Sequence, residues 1–127
     1  MSDYSRPPVC SYFLNIAGVV AARSTCLHRK VGAVLVRDNQ IIATGYNGAP
    51  TGEPHCSEVG CLKPEHGAGM ERCRAVHAEV NAIIQAAIHG VSVAGATLYC
   101  THSPCPICEK ILKNARITNI VYDEEYR

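Results

Sequence analysis

The sequence lacks the features that define several protein classes. It contains no apolar run near the roughly 20 residues that a membrane-spanning helix requires. Its first ten residues, MSDYSRPPVC, lack the basic stretch and the apolar run of a signal peptide. The formal net charge is +1, which indicates neither a nucleic-acid wrapping surface nor an acidic tail. We therefore expect a cytoplasmic protein with no membrane partner and no nucleic-acid partner.

The composition is that of one compact domain spanning residues 1–127. Hydrophobic residues make up 47% of the 127, enough for a core and too many for wholesale disorder. Eight cysteines are a high number for this length. Without a secretion signal, a disulfide framework is disfavoured, and metal binding or catalysis explains the cysteines better.

Apolar periodicity predicts seven regular elements. They are helices over 9–22, 77–89 and 104–115, and strands over 31–36, 40–46, 96–100 and 117–122. Ser103 is the predicted N-cap of the last helix, with Pro104 at its first position. Cys10 and Cys100 fall inside these elements and are predicted to be buried.

The order of these elements predicts the fold. Residues 37–39 form a short polar connection, so the first two strands should pair as a hairpin. The later strand–helix–strand crossover predicts parallel pairing of the last two strands. The predicted fold is therefore a three-layer α/β/α sandwich around a mixed sheet. Residues 47–75 show no pattern, and a loop of that length needs a tether or a function.

Four chemically capable side chains stand at the starts of two predicted helices. His77 and Glu79 begin one helix, and Cys105 and Cys108 begin the next. One histidine and two thiolates suit Zn²⁺, and three protein ligands leave the open position of a catalytic site. Helix N-termini also favour thiolates. A carboxylate beside a zinc-activated water can transfer protons, which is the role predicted for Glu79.

Each part of this pattern also has a simpler explanation. A lone Cys-x-x-Cys could be a redox pair, a lone histidine could form a local cap, and a first-turn glutamate could complement the helix dipole. Because both halves occur together at successive helix starts, the metal site is the better hypothesis.

The motif "HAE" followed by "SPCPIC" resembles the zinc-dependent nucleoside and nucleotide deaminases, whose known signature it matches. The stretches "RSTCLHRKVGAVLVRDNQIIATGYNGAPTGEPHC" and "CRAVHAEVNAIIQAA" resemble the deoxycytidylate (dCMP) deaminase branch, including the bacterial form associated with competence operons. The resemblance implies hydrolysis of dCMP to dUMP and ammonia, supplying dUMP for thymidylate synthesis. It implies that His77, Cys105 and Cys108 bind a catalytic zinc, and that Glu79 protonates N3 and then the leaving amine.

The same resemblance implies a set of substrate contacts. The backbone N–H of Ala78 would hold the pyrimidine O2, and Asn47 would contact the sugar hydroxyl. Arg23, Ser24 and Lys30 are the candidates near the phosphate, and Ser103 is a further substrate-binding candidate. Arg23 fits best, because its guanidinium can pair with two phosphate oxygens. Arg23 could equally be a solvated cation at a helix end, and Asn47 a turn residue that tolerates positive φ.

A second cysteine set is available for a structural zinc of the kind this branch often carries. The hypothesis is a four-thiolate site in which His66 or His55 could replace a cysteine, with the ligands Cys26, Cys56, Cys61 and Cys73. Such a site would tether the long loop. The alternative is that these cysteines are free thiols.

Two departures from the branch affect assembly and regulation. The chain stops at "VYDEEYR", where relatives usually continue through another helix and strand, so that pair of elements is expected to be absent. The resulting exposed sheet edge predicts a homo-oligomer, with a hexamer as one candidate. The "GYNGAPTGEPHC" loop resembles the part that binds dCTP and dTTP effectors, with Mg²⁺ needed only for dCTP. Regulated members can place an arginine near Ile88, which this chain does not.

Other activities remain open from the sequence. Within the deaminases, the rivals act on free cytidine, tRNA adenosine, guanine or a pterin. The neutral charge balance disfavours the tRNA enzyme, which would need a more basic surface. Outside the enzymes, the rival is a zinc-stabilised interaction module, which would have no need of Glu79.

Overall fold

The computed structural model describes residues 5–26, 29–59 and 75–124. The elements found there are α1 (Val9–Ala21), β1 (Gly32–Arg37), β2 (Gln40–Tyr46), α2 (Cys56–Val59), α3 (Ala78–Ile88), β3 (Thr97–His102), α4 (Pro106–Asn114) and β4 (Asn119–Glu124). The seven predicted elements and their order are confirmed. The short α2 was not predicted. No helix in these ranges is long and apolar enough to cross a membrane.

The four strands form one mixed sheet in the order β2-β1-β3-β4. β1 runs antiparallel to β2 and β3, while β3 and β4 are parallel. The hairpin turn between β1 and β2 contains Asp38 and Asn39, with φ values of 54° and 60°. Two successive left-handed residues match the twist of paired strands. The predicted hairpin and the predicted parallel pair are both confirmed.

Helices cover both faces of the sheet, as the three-layer prediction required. On one face, Phe13 and Ala17 of α1 pack against Val34 and Tyr99. The opposite face packs against α3 and α4, through a core that contains Leu35, Leu98, Cys100, Ala78, Ala82 and Leu112. Alternate residues of each strand point to opposite faces, so each central strand supplies both cores.

A glycine brings β2 directly onto the start of α3. A Cβ atom at Gly45 would lie 2.3 Å from the carbonyl oxygen of Ala78 and 2.4 Å from the amide nitrogen of Ala82. Only a residue without a side chain permits this approach. As a result, the residues that follow β2 lie beside the first turn of α3.

The predicted N-cap of the last helix was wrong. The helix begins at Pro106, and its N-cap is Cys105, whose Sγ accepts a hydrogen bond from the backbone N–H of Cys108 at 3.4 Å. Ser103 lies two residues before the cap. Pro106, not Pro104, occupies the first helical position, where its missing N–H has no intrahelical partner to lose.

The two cysteines predicted to be buried behave differently. Cys100 on β3 is fully buried, which confirms the prediction. Cys10 is exposed at the first turn of α1, beside the Tyr99 side chain, so its predicted burial was wrong. Cys10 precedes Phe13 by three residues and shares its side of α1, but the burial on that side begins only at Phe13.

Candidate metal and catalytic site

The site is built where three chain segments meet. Residues after β2 pair with the residues before α3 through an antiparallel bridge between Gly48 and Val76, whose two N···O distances are 3.3 and 2.7 Å. The start of α4 completes the junction. Asn47, His77 and Cys105 therefore come from different elements and meet at one edge of the sheet.

Three predicted metal ligands converge there. His77 Nδ1 lies 3.3 Å from Cys108 Sγ and 3.6 Å from Cys105 Sγ, and the three donor atoms lie within 4.8 Å of one another. A tetrahedral zinc about 2.0–2.1 Å from nitrogen and about 2.3 Å from sulfur would hold such atoms about 3.6 Å apart. The donor set therefore fits zinc in both chemistry and spacing.

The start of α4 presents both sulfurs to this point. Cys105 caps the helix, and Cys108 lies in its first turn, fully buried. The Cys108 N–H donates to Cys105 Sγ, which holds that sulfur at the start of the helix. Burial, followed by the charge of Glu79, raises the pKa of Cys108. A divalent cation would offset this concentration of negative charge, which again fits a metal site.

Glu79 lies in the first turn of α3 and is 4% exposed. Burial raises the pKa of its carboxyl, while hydrogen bonds with its own backbone and with the Cys108 side chain act in the opposite direction. The predicted proton carrier thus touches a predicted metal ligand. Few carboxylates are buried without a specific reason, and this one is buried beside the donor set.

Cys100 is part of this neighbourhood, although the sequence suggested only a core role. Burial, followed by the charge of Glu79, raises the pKa of the Cys100 thiol to about 12. The thiol therefore stays neutral and supplies part of the apolar wall near Glu79. The alternation of β3 could have revealed this placement, because Leu98 and Cys100 share the sheet face on which α3 packs.

Asn47 is held from both sides by the backbone. Its N–H donates to the carbonyl of Val31 at 3.3 Å, and its own carbonyl accepts from Thr25 at 3.0 Å. Its side-chain Oδ1 accepts the backbone N–H of Ala78 at 2.8 Å, in a buried contact. Two groups predicted to contact the substrate are therefore hydrogen-bonded to each other.

The remaining predicted substrate residues differ in burial and in hydrogen bonding. Ser24 is buried, and its hydroxyl both donates to the carbonyl of Val31 at 3.0 Å and accepts from the N–H of Val31 at 3.1 Å. Arg23 and Lys30 are exposed. The backbone N–H of Ser103 donates to the carbonyl of Glu124 at 2.7 Å. The hydroxyl of Ser24 thus joins two backbone segments, while the Arg23 guanidinium faces solvent.

Two residues of the second cysteine set lie in the described part of the chain. The N–H of Ser57 donates to the carbonyl of Thr25 at 3.0 Å, which brings the neighbouring residues Cys56 and Cys26 close together. Cys56 is buried and Cys26 is half-buried. Three further candidates lie outside the described residues: Cys61, Cys73 and His66.

His55 is already engaged by its surroundings. Its Nδ1 lies 2.7 Å from Thr25 Oγ1 and accepts the N–H of Ala49 at 3.3 Å. A backbone N–H can only donate, so Nδ1 is the acceptor in this contact. Only Nε2 of His55 could therefore serve another partner.

A mixed α/β sandwich with a His-Cys-Cys donor set and a buried glutamate defines a metal-binding domain of hydrolytic type. The family model of the cytidine and deoxycytidylate deaminase zinc-binding region matches residues 9–124. The chain belongs to this family.

Individual relatives agree with that assignment. The chain is 44% identical to ComE operon protein 2 of Bacillus subtilis over 91% of its own length and 59% of that protein. It is 41% identical to the deoxycytidylate deaminase of Mycobacterium phage D29, covering 95% of the chain and 98% of the phage protein. The dCMP deaminase of cyanophage S-TIM5, solved with dCMP and dUMP, superposes with a TM-score of 0.81 at 34% identity, covering 98% of this chain and 87% of that one.

The match in length varies among the relatives. The chain spans less than two thirds of several curated proteins that it matches, including 59% of the Bacillus protein. The shared part contains the complete donor set and Glu79. Similarity therefore extends over the whole candidate site.

Proposed function

We propose that this chain hydrolyses dCMP to dUMP and ammonia. In this reaction water adds to C4 of the cytosine, the bond between C4 and the exocyclic nitrogen breaks, and the nitrogen leaves as ammonia. The observation that carries the proposal is the buried Glu79 in contact with the His77–Cys105–Cys108 donor set. The substrate is supported by relatives named deoxycytidylate deaminase and by the relative solved with dCMP and dUMP.

His77, Cys105 and Cys108 would hold the zinc. Zinc bound by these residues supplies Lewis acidity that makes water nucleophilic near neutral pH. The first turn of α4 orients both sulfurs, and the N-terminal end of α3 orients the imidazole. The fully buried Cys108 and Cys100 keep this side of the site dry, which strengthens the electrostatic interactions within it.

Glu79 would carry the protons of the reaction. Burial raises its pKa, so its carboxylate accepts a proton from water more readily than an exposed glutamate does. The same carboxyl then delivers protons to N3 and to the leaving nitrogen. A group whose pKa is shifted toward the operating pH can both accept a proton from water and donate it to the substrate.

Asn47 and Ala78 would bind the nucleoside part of the substrate. Their mutual hydrogen bond places the Asn47 amide at the start of α3, next to His77. We expect the pyrimidine O2 to replace Asn47 Oδ1 on the Ala78 N–H, leaving the Asn47 amide available to the sugar hydroxyl. Arg23 is our main phosphate candidate, because it is exposed, whereas the hydroxyl of Ser24 is used by Val31. Ser103 remains a substrate candidate through its side chain.

A second, structural zinc is part of the proposal. The Thr25–Ser57 hydrogen bond brings Cys26 and Cys56 together, which supports half of a four-thiolate site that Cys61 and Cys73 would complete. Metal analysis of the purified protein tests this directly. Two zinc ions per chain, falling to one in Cys56→Ser, would support it, whereas one ion in the unmodified chain would contradict it.

Regulation and assembly are further expectations. A cavity of about 350 Å³ opens beside the loop after β2, with Tyr46, Gly48 and His55 in its wall, and could receive a dCTP or dTTP effector. Mg²⁺ would be required only with dCTP. Ile84 and Ile88 are 42% and 67% exposed on α3, which supports burial in a homo-oligomer, with a hexamer as one candidate. Light scattering measures the assembly, and dCMP turnover with and without dCTP and Mg²⁺ measures the regulation.

An ammonia-release assay with dCMP, dCTP, deoxycytidine and cytosine tests the substrate. We expect a strong preference for dCMP, which would also suit a cytoplasmic nucleotide enzyme. Equal turnover with deoxycytidine would contradict the nucleotide assignment and favour a nucleoside deaminase. Complete inactivity of zinc-loaded protein on all four would favour a deaminase for another base or the non-catalytic zinc module.

A further inference from the structure

One side chain of α3 joins the two segments that carry the site. The Nδ2 group of Asn81 donates to the carbonyl of Tyr46 at 2.8 Å and to the carbonyl of Val76 at 3.1 Å. Tyr46 directly precedes Asn47, and Val76 directly precedes His77. A single amide group therefore ties the residue before the proposed sugar contact to the residue before a metal ligand.

The geometry of Asn81 follows from the start of α3. The backbone N–H of Asn81 donates to the carbonyl of His77 at 2.9 Å, the first hydrogen bond of the helix. Asn81 is therefore one turn beyond His77, and its side chain points back toward the N-terminal end of the helix. The side-chain NH₂ group of asparagine carries two N–H donors, one for each of the two carbonyls.

Two other contacts join the same two segments, but neither involves the carbonyls of Tyr46 and Val76 in the way that Asn81 does. The bridge between Gly48 and Val76 joins the two segments one residue further along, and the Asn47–Ala78 bond joins them across the start of α3. The carbonyls of Tyr46 and Val76 point into the space between them and toward Asn81. Replacing Asn81 with an apolar side chain would remove this donor from both carbonyls, while the carbonyl of Val76 would keep its hydrogen bond from the N–H of Gly48.

We propose that Asn81 is a positioning residue, whose two hydrogen bonds set Asn47 relative to His77 and thus the sugar relative to the metal site. This proposal rests on the proposed function for its substrate readout. Loss of Asn81 is expected to lower kcat/KM for dCMP by about tenfold, the effect of roughly one misplaced hydrogen bond. Discrimination between dCMP and 2′,3′-dideoxy-CMP, which lacks the sugar hydroxyl, is expected to fall with it.

The experiment compares Asn81→Leu and Asn81→Asp with a matched control. Leucine removes both donors, and aspartate keeps the shape of the side chain while presenting only acceptors to the two carbonyls. Asn15→Leu and Asn15→Asp change the exposed Asn15 of α1, on the opposite side of the sheet, and should behave as the unmodified protein does. Asn81→Ser keeps one donor, so its kcat/KM is expected to lie between those of the unmodified protein and Asn81→Leu. It is also a milder variant if the others fold poorly.

The decisive readout is the ratio of kcat/KM for dCMP to that for 2′,3′-dideoxy-CMP. If Asn81 acts through Asn47, the ratio falls in Asn81→Leu and changes no further when Asn47→Ala is added. A purely structural role would lower the melting temperature and leave the ratio intact in the folded fraction. An unchanged ratio would therefore overturn the substrate half of the proposal.

A second readout separates this proposal from the proposed function. With Co²⁺ in place of zinc, the visible absorption bands report the geometry of the His77–Cys105–Cys108 ligands. A shift in Asn81→Leu and none in Asn15→Leu would support the positioning of His77 even if the unmodified chain turned over no dCMP. The inference would be overturned if Asn81→Leu had both the Co²⁺ absorption bands and the kcat/KM ratio of the unmodified protein.

Discussion

The backbone N–H of Ala78 donates to the side-chain Oδ1 of Asn47 at 2.8 Å, and the contact is buried. This bond joins the segment after β2 to the first residue of α3. Asn47 therefore has a structural function as well as its proposed function toward the sugar.

Asn47→Ala should reduce both stability and substrate affinity. It leaves a buried N–H without its acceptor, which costs about 1–3 kcal/mol. Urea unfolding would measure that loss, and steady-state kinetics should give a higher KM for dCMP. Asn15→Ala, at an exposed position, is the control. An Asn47→Ala protein with unchanged stability and unchanged KM would contradict both roles.

Cys108→Ser should remove the catalytic metal. The serine hydroxyl is a poor zinc ligand, so metal analysis should show one zinc ion fewer per chain and activity should vanish. Cys10→Ser is the matched control, because Cys10 is exposed and far along the chain from the donor set. Full zinc content and turnover in Cys108→Ser would show that the ion is held elsewhere.

Gly45→Ala should destabilise the fold through backbone overlap. Its new Cβ would lie 2.3 Å from the carbonyl oxygen of Ala78. Overpacking of this kind costs about 1–3 kcal/mol. Gly18→Ala is the matched comparison, because nothing lies within 4 Å of a Cβ there and alanine favours a helix by about 0.5–1 kcal/mol. Equal midpoints of unfolding for the two variants would disprove the close contact between β2 and α3.

Cys100 should resist alkylation far longer than Cys10. Burial, followed by the charge of Glu79, raises the pKa of Cys100 from 9.0 to about 12, so little thiolate forms at pH 8. Because the folded pKa is the higher one, its contribution to stability is complete below pH 9 and is lost as the pH rises toward 12. Mass spectrometry after iodoacetamide treatment at pH 8 would measure both rates. Modification of Cys100 in the folded protein as fast as Cys10 would contradict its burial.

Much of the fold could be predicted from local pattern. The apolar run of β1 and the polar turn at Asp38 and Asn39 indicated the hairpin, and the strand–helix–strand order indicated the parallel pair. The spacing in HAE and PCxxC identified the donor set, because helix starts present their first-turn residues to a common edge. Those features depend on short stretches of sequence.

Other features depend on contacts between distant segments. The length of α1 that the sheet covers is set by β1 and β3, so the helix sequence does not reveal that Phe13 is buried while Cys10, three residues earlier, is exposed. The use of Cys105 as the N-cap depends on competition with Ser103 for the helix start. Asn81 contacts Tyr46, 35 positions away, so its role could not be read from the helix alone.

The most direct test of the central claim is Glu79→Gln, assayed for ammonia release from dCMP and for zinc content in the same preparation. Glutamine keeps the shape of the side chain but cannot carry a proton. A general acid–base group typically contributes about 10²–10⁴-fold to the rate. In the proposed reaction Glu79 takes part in several proton transfers. We predict an activity loss of at least that size with the zinc content of the unmodified protein. Full turnover with zinc retained would contradict the account.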